Sequence, residues 1–166
     1  MDLLSNLWKL PSGMEREDGV NGNLKWTSKY GSVVATAFDL IAVDGMNEEG
    51  FAGHILWLAE SDYGDPAPAD TQLSQAVWLQ YYLDNFKTVK EAVAWTKKSK
   101  VQIKQLFDPT GHLVPTLHLA LNDATGHLAR MRAMADRFSR AVSSFDPAGA
   151  SCDIVRLDQA LRRQLS

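Results

Sequence analysis

The sequence predicts an α+β domain in which antiparallel strands are followed by a helix pair at residues 71–98. Two β-branched or alternating stretches, Gly31 to Phe38 and Phe51 to Ala59, flank the turn-rich run Asp44-Gly45-Met46-Asn47-Glu48-Glu49-Gly50. Leu73, Ala76, Val77, Leu83 and Phe86 then fall at helical spacing. Thr88-Val89-Lys90-Glu91 is a capping box that opens a second helix.

Each element follows from its residues. In Gly31 to Phe38, Val33, Val34 and Thr36 favour the pleated conformation. In Phe51 to Ala59, Phe51, Gly53, Ile55 and Trp57 share one face, and Ala52, His54, Leu56 and Leu58 the other. Both faces are largely apolar, so this strand is expected to be buried on both sides, with helix on sheet on sheet or helix on sheet on helix. Asp62 to Asp70, with Gly64, Pro66 and Pro68, reads as a loop. Leu73 to Phe86 is the strongest helix, its apolar arc widened by Trp78, Tyr81 and Tyr82. The helix opened by Thr88 turns Val89, Ala92 and Val93 inward and ends on Lys97, Lys98 and Lys100, matched to the negative end of the dipole. After a turn at Pro109-Thr110-Gly111, Thr116 to Asn122 reads as a strand through Leu117, Leu119 and Leu121, and Asn122-Asp123-Ala124-Thr125-Gly126 as a turn into another. From His127 to Phe145, however, Leu128, Met131, Met134, Phe138 and Val142 recur at steps of three and four, which predicts a helix in place of that strand. Pro147 and Gly149 end it, and Ile154 to Leu165 forms a last short helix.

Residue usage changes near the same point. Residues 1–124 hold nine lysines and one arginine, Arg16; residues 125–166 hold seven arginines and no lysine. All five tryptophans and all four tyrosines precede residue 125. These shifts divide the chain into residues 1–126 and an Arg-rich helical tail, 127–166, of the kind a change of reading frame leaves.

The totals exclude several classes. At 166 residues, 45% hydrophobic and 22% charged, the composition is that of one globular domain. A net charge of −3 gives no global attraction to nucleic acid or to an anionic membrane, and no apolar run is long enough to span a bilayer. Met1 to Trp8 lacks the basic and apolar regions of a secretory leader, so the chain as written is expected in the cytoplasm. A preceding segment carrying a leader would direct it to the periplasm.

Several blocks together resemble the choloylglycine hydrolase and penicillin V acylase family of linear amide C–N hydrolases. They are Asn6-Leu7-Trp8 with Pro11 and Gly13, Leu24-Lys25-Trp26-Thr27-Ser28-Lys29-Tyr30-Gly31-Ser32-Val33, the Asp44 to Gly50 run, and Leu56-Trp57-Leu58-Ala59-Glu60. Further blocks are Tyr82-Leu83-Asp84-Asn85-Phe86 with Thr88-Val89 and Glu91-Ala92, and Thr116-Leu117-His118-Leu119 with Asn122 to Gly126. The resemblance covers about residues 3–126. It implies a partial αββα sandwich of the N-terminal-nucleophile hydrolases and cleavage of non-peptide linear amides such as phenoxymethylpenicillin, conjugated bile acids or N-acyl-homoserine lactones. In that family a cysteine at the mature N-terminus attacks the carbonyl and its own α-amino group serves as base. No cofactor or metal is implied, and the partner is a small-molecule amide.

Carried over residue by residue, the resemblance assigns one pocket position and no catalytic one. The N-terminal cysteine, the arginine and aspartate of an Arg-x-Met-Asp stretch and the asparagine of a Thr-Asn-Ser-Pro stretch have no counterparts here. Met1-Asp2 stands too close to Asn6-Leu7-Trp8 to represent the second of these. Trp57 matches the site where bile salt hydrolases carry asparagine and penicillin acylases an aromatic. The expectation is therefore a truncated copy, inactive alone; the alternative is a non-catalytic binding or structural protein on a degraded scaffold. A sandwich lacking strands also exposes sheet, which favours homo-oligomers or aggregation.

The remaining candidates have plainer readings. Cys152 is the single thiol, deep in the tail with no histidine near in sequence. His54, His112, His118 and His127 lack metal-ligand spacing; His54 and His118 read as hydrogen-bonded strand residues. Asn47 reads as a turn residue tolerant of a left-handed backbone. Arg130, Arg132, Arg137 and Arg140 read as a solvated helix face, and Trp78, Tyr81, Tyr82 and Phe86 as core.

Overall fold

The computed structural model describes residues 5–59, 61–64, 71–99, 101–107, 112, 114–132 and 143–145. Its centre is an antiparallel sheet built from β1 (Leu7–Leu10), β4 (Ser32–Ala37), β5 (Ile41–Asn47), β6 (Ala52–Trp57), β9 (Leu117–Asn122), β10 (Leu128–Arg132) and β11 (Ser143–Phe145), in that order across the sheet. A hairpin of β2 (Glu15–Glu17) and β3 (Lys25–Thr27) and a parallel ribbon of β7 (Thr71–Ser74) and β8 (Val101–Lys104) complete the strands. Two helices, α1 (Trp78–Asn85) and α2 (Val89–Lys98), follow β7. The α+β architecture expected from the sequence is the one observed.

The seat of α1 is made by two glycines. Gly45 on β5 and Gly53 on β6 are cross-strand partners. A Cβ on Gly45 would meet Leu83 Cδ1 at 2.7 Å and the Val33 carbonyl oxygen at 2.9 Å; one on Gly53 would meet Leu79 Cδ1 at 2.5 Å. Leu79 and Leu83 are one helical turn apart, so α1 lies on the sheet with successive leucines set into side-chain-free positions. Gly45 is therefore a mid-strand residue. The expected turn over Asp44 to Gly50 contracts to Glu48–Gly50, where Gly50 takes φ 76°.

All of α1 from Trp78 to Asp84 is buried. Its aromatic flank packs on β3, on α2 and on the residue that ends α1 itself: Tyr81 against Trp26 at 5.2 Å, edge to face, Tyr81 against Trp95 of α2 at 5.1 Å, and Tyr82 against Phe86 at 5.3 Å. The helix is shorter than its periodicity predicts. Residues 71–74 instead pair with β8, and the Ser74 amide donates to Asp18 Oδ2 at 2.5 Å. Tertiary pairing overrides the local helical pattern there. At α2 the expected cap is present, Thr88 Oγ1 accepting from the Glu91 amide at 3.2 Å. Glu91 reaches back to the Lys87 amide rather than to that of Thr88. Asp123, in the β9–β10 turn, adds an acceptor for the Val89 amide at 2.7 Å.

Two expectations are corrected. The strand after Gly126 does form: β10 pairs with β9, Ala129 opposite Leu121, and β11 follows, so residues 128–132 and 143–145 are strands and not parts of a helix. Asp123 and Gly126, at φ 84°, close the turn by a Gly126 amide to Asp123 carbonyl bond, and that turn aligns 128–132 beside β9. The apolar steps of three and four do not discriminate over so short a stretch. Met134, Phe138, Val142, the 154–165 helix, the Pro109-Thr110-Gly111 turn and Cys152 lie outside the described residues. Secondly, β6 is not buried on both faces. Phe51, Gly53 and Ile55 are buried towards the helices, while Ala52 and His54 are half-buried and Leu56 exposed on the other side. Val33 and Met46 are exposed on that same outer face.

Asn47 is more than a turn residue, and its φ is not positive. It is buried, and its Nδ2 donates to the carbonyls of Leu83 (2.9 Å) and Phe86 (2.8 Å), while Oδ1 accepts from the amides of Glu49 (3.1 Å) and Phe51 (3.0 Å). All four hydrogen-bonding positions of the amide are used, tying the β5–β6 turn to the end of α1.

Two outcomes follow in chemical denaturation. Asn47→Ala orphans two buried carbonyls and lowers unfolding free energy by about 2–4 kcal/mol. Gly45→Ala overpacks the seat against backbone and side chain and costs about 1–3 kcal/mol; an unchanged midpoint for either would contradict the respective role.

Candidate functional site

Strand directions bring one set of residues to a common end of the sheet. β4 runs up to Ala37, the chain reverses through Phe38-Asp39-Leu40, β5 descends from Ile41, and β6 returns to finish at Trp57. β1 begins at this end, with Leu7 opposite Ala35. The opposite end carries the 48–50 and 123–127 turns, where a Cβ on Gly50 would touch Ala124 Cβ at 3.2 Å.

Trp57 is 71% exposed at this open end. It continues the inward alternation of Phe51, Gly53 and Ile55, but lies past the last residue that the helices cover. Its backbone is held firmly. Trp57 is opposite Leu117, the Leu58 amide donates to the Thr116 carbonyl at 3.0 Å, and Thr116 Oγ1 donates to the Leu58 carbonyl at 2.9 Å. Tyr63 locks the adjoining strand: its hydroxyl accepts from the Leu117 amide at 2.7 Å and donates to the Leu117 carbonyl at 3.0 Å. Burial pushes the Tyr63 hydroxyl up to about 12, against the opposing effect of the Leu117 bond, so it stays protonated and able to donate at neutral pH. Tyr63 also meets Trp78 edge to face at 6.2 Å. Sequence reasoning placed Tyr63 in a featureless loop; an aromatic beside Gly64 and Pro66 was the available signal.

Other apolar side chains are exposed at this end of the sheet: Phe38 is 58% and Leu40 53% exposed in the hairpin tip, and Leu7, opposite Ala35, is exposed on the outer face. On the helix side of this end lies a cleft of about 220 Å3. One wall is Arg16, whose Nε lies 2.7 Å from Asp84 Oδ2 but off the line of a hydrogen bond, so the contact is a charge pair. Asp84, fully buried on α1, also accepts from Trp26 Nε1 and Gln80 Nε2, each at 2.7 Å. Burial raises its carboxyl above the ordinary value, and the bond from Trp26 and the charge of Arg16 oppose that rise.

The other candidates separate from this site. His54 Nδ1 meets Asp44 Oδ1 on the outer sheet face, in keeping with a hydrogen-bonded strand histidine. His118 is buried on β9, and His127 Nδ1 contacts Thr125 Oγ1 in the β9–β10 turn. Among the described residues no group of three His, Cys, Asp or Glu could hold a metal, and no helix is long and apolar enough to cross a membrane. Arg130 and Arg132 sit on β10; Arg137 and Arg140 lie outside the described residues.

The sequence model of the linear amide C-N hydrolases, choloylglycine hydrolase family, matches residues 8–138. The chain belongs to that family. It is 43% identical over 136 residues to the penicillin V acylase of Pectobacterium atrosepticum, an alignment covering 77% of this chain and 36% of that protein. The structure is similar to penicillin V acylase from Agrobacterium tumefaciens, with a TM-score of 0.72 and 42% identity, over 87% of this chain and 42% of that one. It also shares its fold with a variant of conjugated bile acid hydrolase from Clostridium perfringens (TM-score 0.69, 21% identity, 94% of this chain and 49% of that one). The chain thus spans less than half the length of each of these relatives. These likenesses bear out the N-terminal-nucleophile hydrolase fold, in part, that the sequence blocks imply, and the family match continues past Gly126 through β10.

Arg16→Met tests the wall of the cleft. Removing the cation leaves Asp84 buried without its charge partner, a loss of about 3 kcal/mol at pH 7. Burial already raises this carboxyl, and loss of the opposing Arg16 charge raises it further in the variant. Lowering the pH through the folded value therefore reduces the deficit of the variant. Denaturation of both proteins between pH 7 and pH 4 measures this, and a pH-independent deficit would contradict it.

Proposed function

We propose that these 166 residues are the central, substrate-facing part of a hydrolase of non-peptide linear amides, with Trp57 as an acyl-side wall of its pocket, and that alone they turn nothing over. The observation that carries this is the exposed Trp57 ring on a rigid strand end, inside the stretch matched to the family. A flat aromatic face suits an aryl or acyl group better than a polar amine fragment. Phenoxymethylpenicillin fits that description, and the two acylases at 42–43% identity carry its name in theirs.

The chemistry of such a reaction needs a nucleophile, a base and donors for the oxyanion. The single thiol here, Cys152, follows 151 residues and has no α-amino group of its own to serve as base. Histidines do not supply a substitute: His54, with its aspartate partner, lies on the outer sheet face, away from the helix-side alternation that ends in Trp57. What the chain contributes is shape and position. Thr116 and Tyr63 hold the wall in place.

Two measurements on the 166-residue chain test this. Release of 6-aminopenicillanic acid from phenoxymethylpenicillin is expected to stay at the buffer rate; turnover, including turnover that survives Cys152→Ala, would overturn the proposal of inactivity. Weak binding of phenoxymethylpenicillin by calorimetry is expected, about five- to tenfold weaker in Trp57→Ala. Equal binding by both proteins would remove Trp57 from the pocket.

A further inference from the structure

The cleft on the helix side of the open end has features that amide hydrolysis does not use. Its walls include Trp8, Leu10, Val34, Ala42 and Val77, which are apolar or aromatic. Its charges do not cancel. Arg16 is matched by Asp84, whereas Asp39, also lining the cleft, has no ion-pair partner among the described residues.

Asp39 is held in place at a conformational cost. Phe38 and Asp39 take φ values of 56° and 55°, both in the left-handed region, and the Leu40 amide donates to the Ala37 carbonyl to close the turn. Two-residue hairpins of this kind ordinarily use Asn-Gly or Asp-Gly, and a bulky residue such as Phe at positive φ is a genuine outlier. Backbone strain of this sort gathers at sites that need a fixed group. The group fixed here is a carboxylate. Trp8 Nε1 donates to Asp39 Oδ1 at 2.9 Å, and Thr36 Oγ1 lies 3.4 Å from the same oxygen with its single proton also within reach of the Asn6 carbonyl at 3.3 Å.

We propose that this cleft binds a small organic amine, with its ammonium on Asp39 beside the indole of Trp8 and its apolar body against Val34, Ala42 and Val77. One unmatched carboxylate, an aromatic neighbour and apolar walls select a cation with a hydrophobic body over an anion. The volume, about 220 Å3, suits a single ring or short alkyl chain. The inference does not depend on the hydrolytic reading, and its test reads binding alone.

The test uses the 15N-labelled 166-residue chain at low salt. The Trp8 indole N–H resonance, identified by its loss in Trp8→Phe, is followed while benzylammonium, benzyl alcohol or phenylacetate is added. Benzylammonium is expected to shift it saturably and to bind roughly three- to fivefold more tightly than benzyl alcohol, with phenylacetate weakest. In Asp39→Asn the amine falls to the affinity of the alcohol. Asparagine keeps an acceptor for Trp8 and tolerates positive φ, so the fold is retained, and an otherwise unchanged spectrum verifies that. Equal affinity for amine and alcohol, no saturable shift, or an amine preference that persists in Asp39→Asn would overturn the proposal. Tightest binding by phenylacetate would overturn it as well, making Arg16 the anchor.

Discussion

The close approach of α1 to the sheet governs the rest of this structure. With glycine at both 45 and 53, Leu83 and Leu79 reach into positions that any side chain would fill. That proximity lets a short helix of eight residues be buried on every side. Such a helix gains little from its own hydrogen bonds and depends on the packing around it. The sheet below, the β2–β3 hairpin beside it and α2 across from it provide that packing. The aromatic contacts of Tyr81 with both Trp26 and Trp95 join those surroundings.

Burying a helix this completely leaves polar groups that need partners, and the chain meets them from distant segments. Asn47 reaches from the β5–β6 turn to two carbonyls at the end of α1. Asp84 collects Arg16, Trp26 and Gln80 at its side chain, while its carbonyl accepts from Lys29. Asp123 does the corresponding work at the start of α2. Its hydrogen bonds from Thr125 and Val89 outweigh the effect of burial and hold the carboxyl below its ordinary value. These ties lie at the turn end or along the helices. The other end of the sheet is left open, with apolar side chains exposed there, Trp57 among them.

The functional reading is accordingly divided. The family and the partial fold are established by match and by likeness, and the geometry adds an exposed aromatic ring at a paired strand end. The Asp39 cleft is a separate feature of the same end, produced by a strained hairpin rather than by the strand that carries Trp57.

Local pattern was enough for some elements. β-branched residues marked β4, leucine alternation marked β9, and the Thr88 cap marked the start of α2, because each signal is contained within a few residues. The blocks through Trp26, Asp44 to Gly50 and Trp57 were likewise sufficient to indicate the family. Tertiary contacts decided what those patterns could not. Residues 71–74 look helical yet become strand because β8, some thirty residues away, offers a partner. Residues 128–132 do so because the Asp123–Gly126 turn lays them along β9. Gly45 and Asn47 resemble turn residues until a helix is placed over them. Tyr63 and Asp39 acquire their roles from Leu117 and Trp8, one distant in sequence and the other on a neighbouring strand. Periodicity reports which faces a segment could bury; only the folded chain determines which partner buries them.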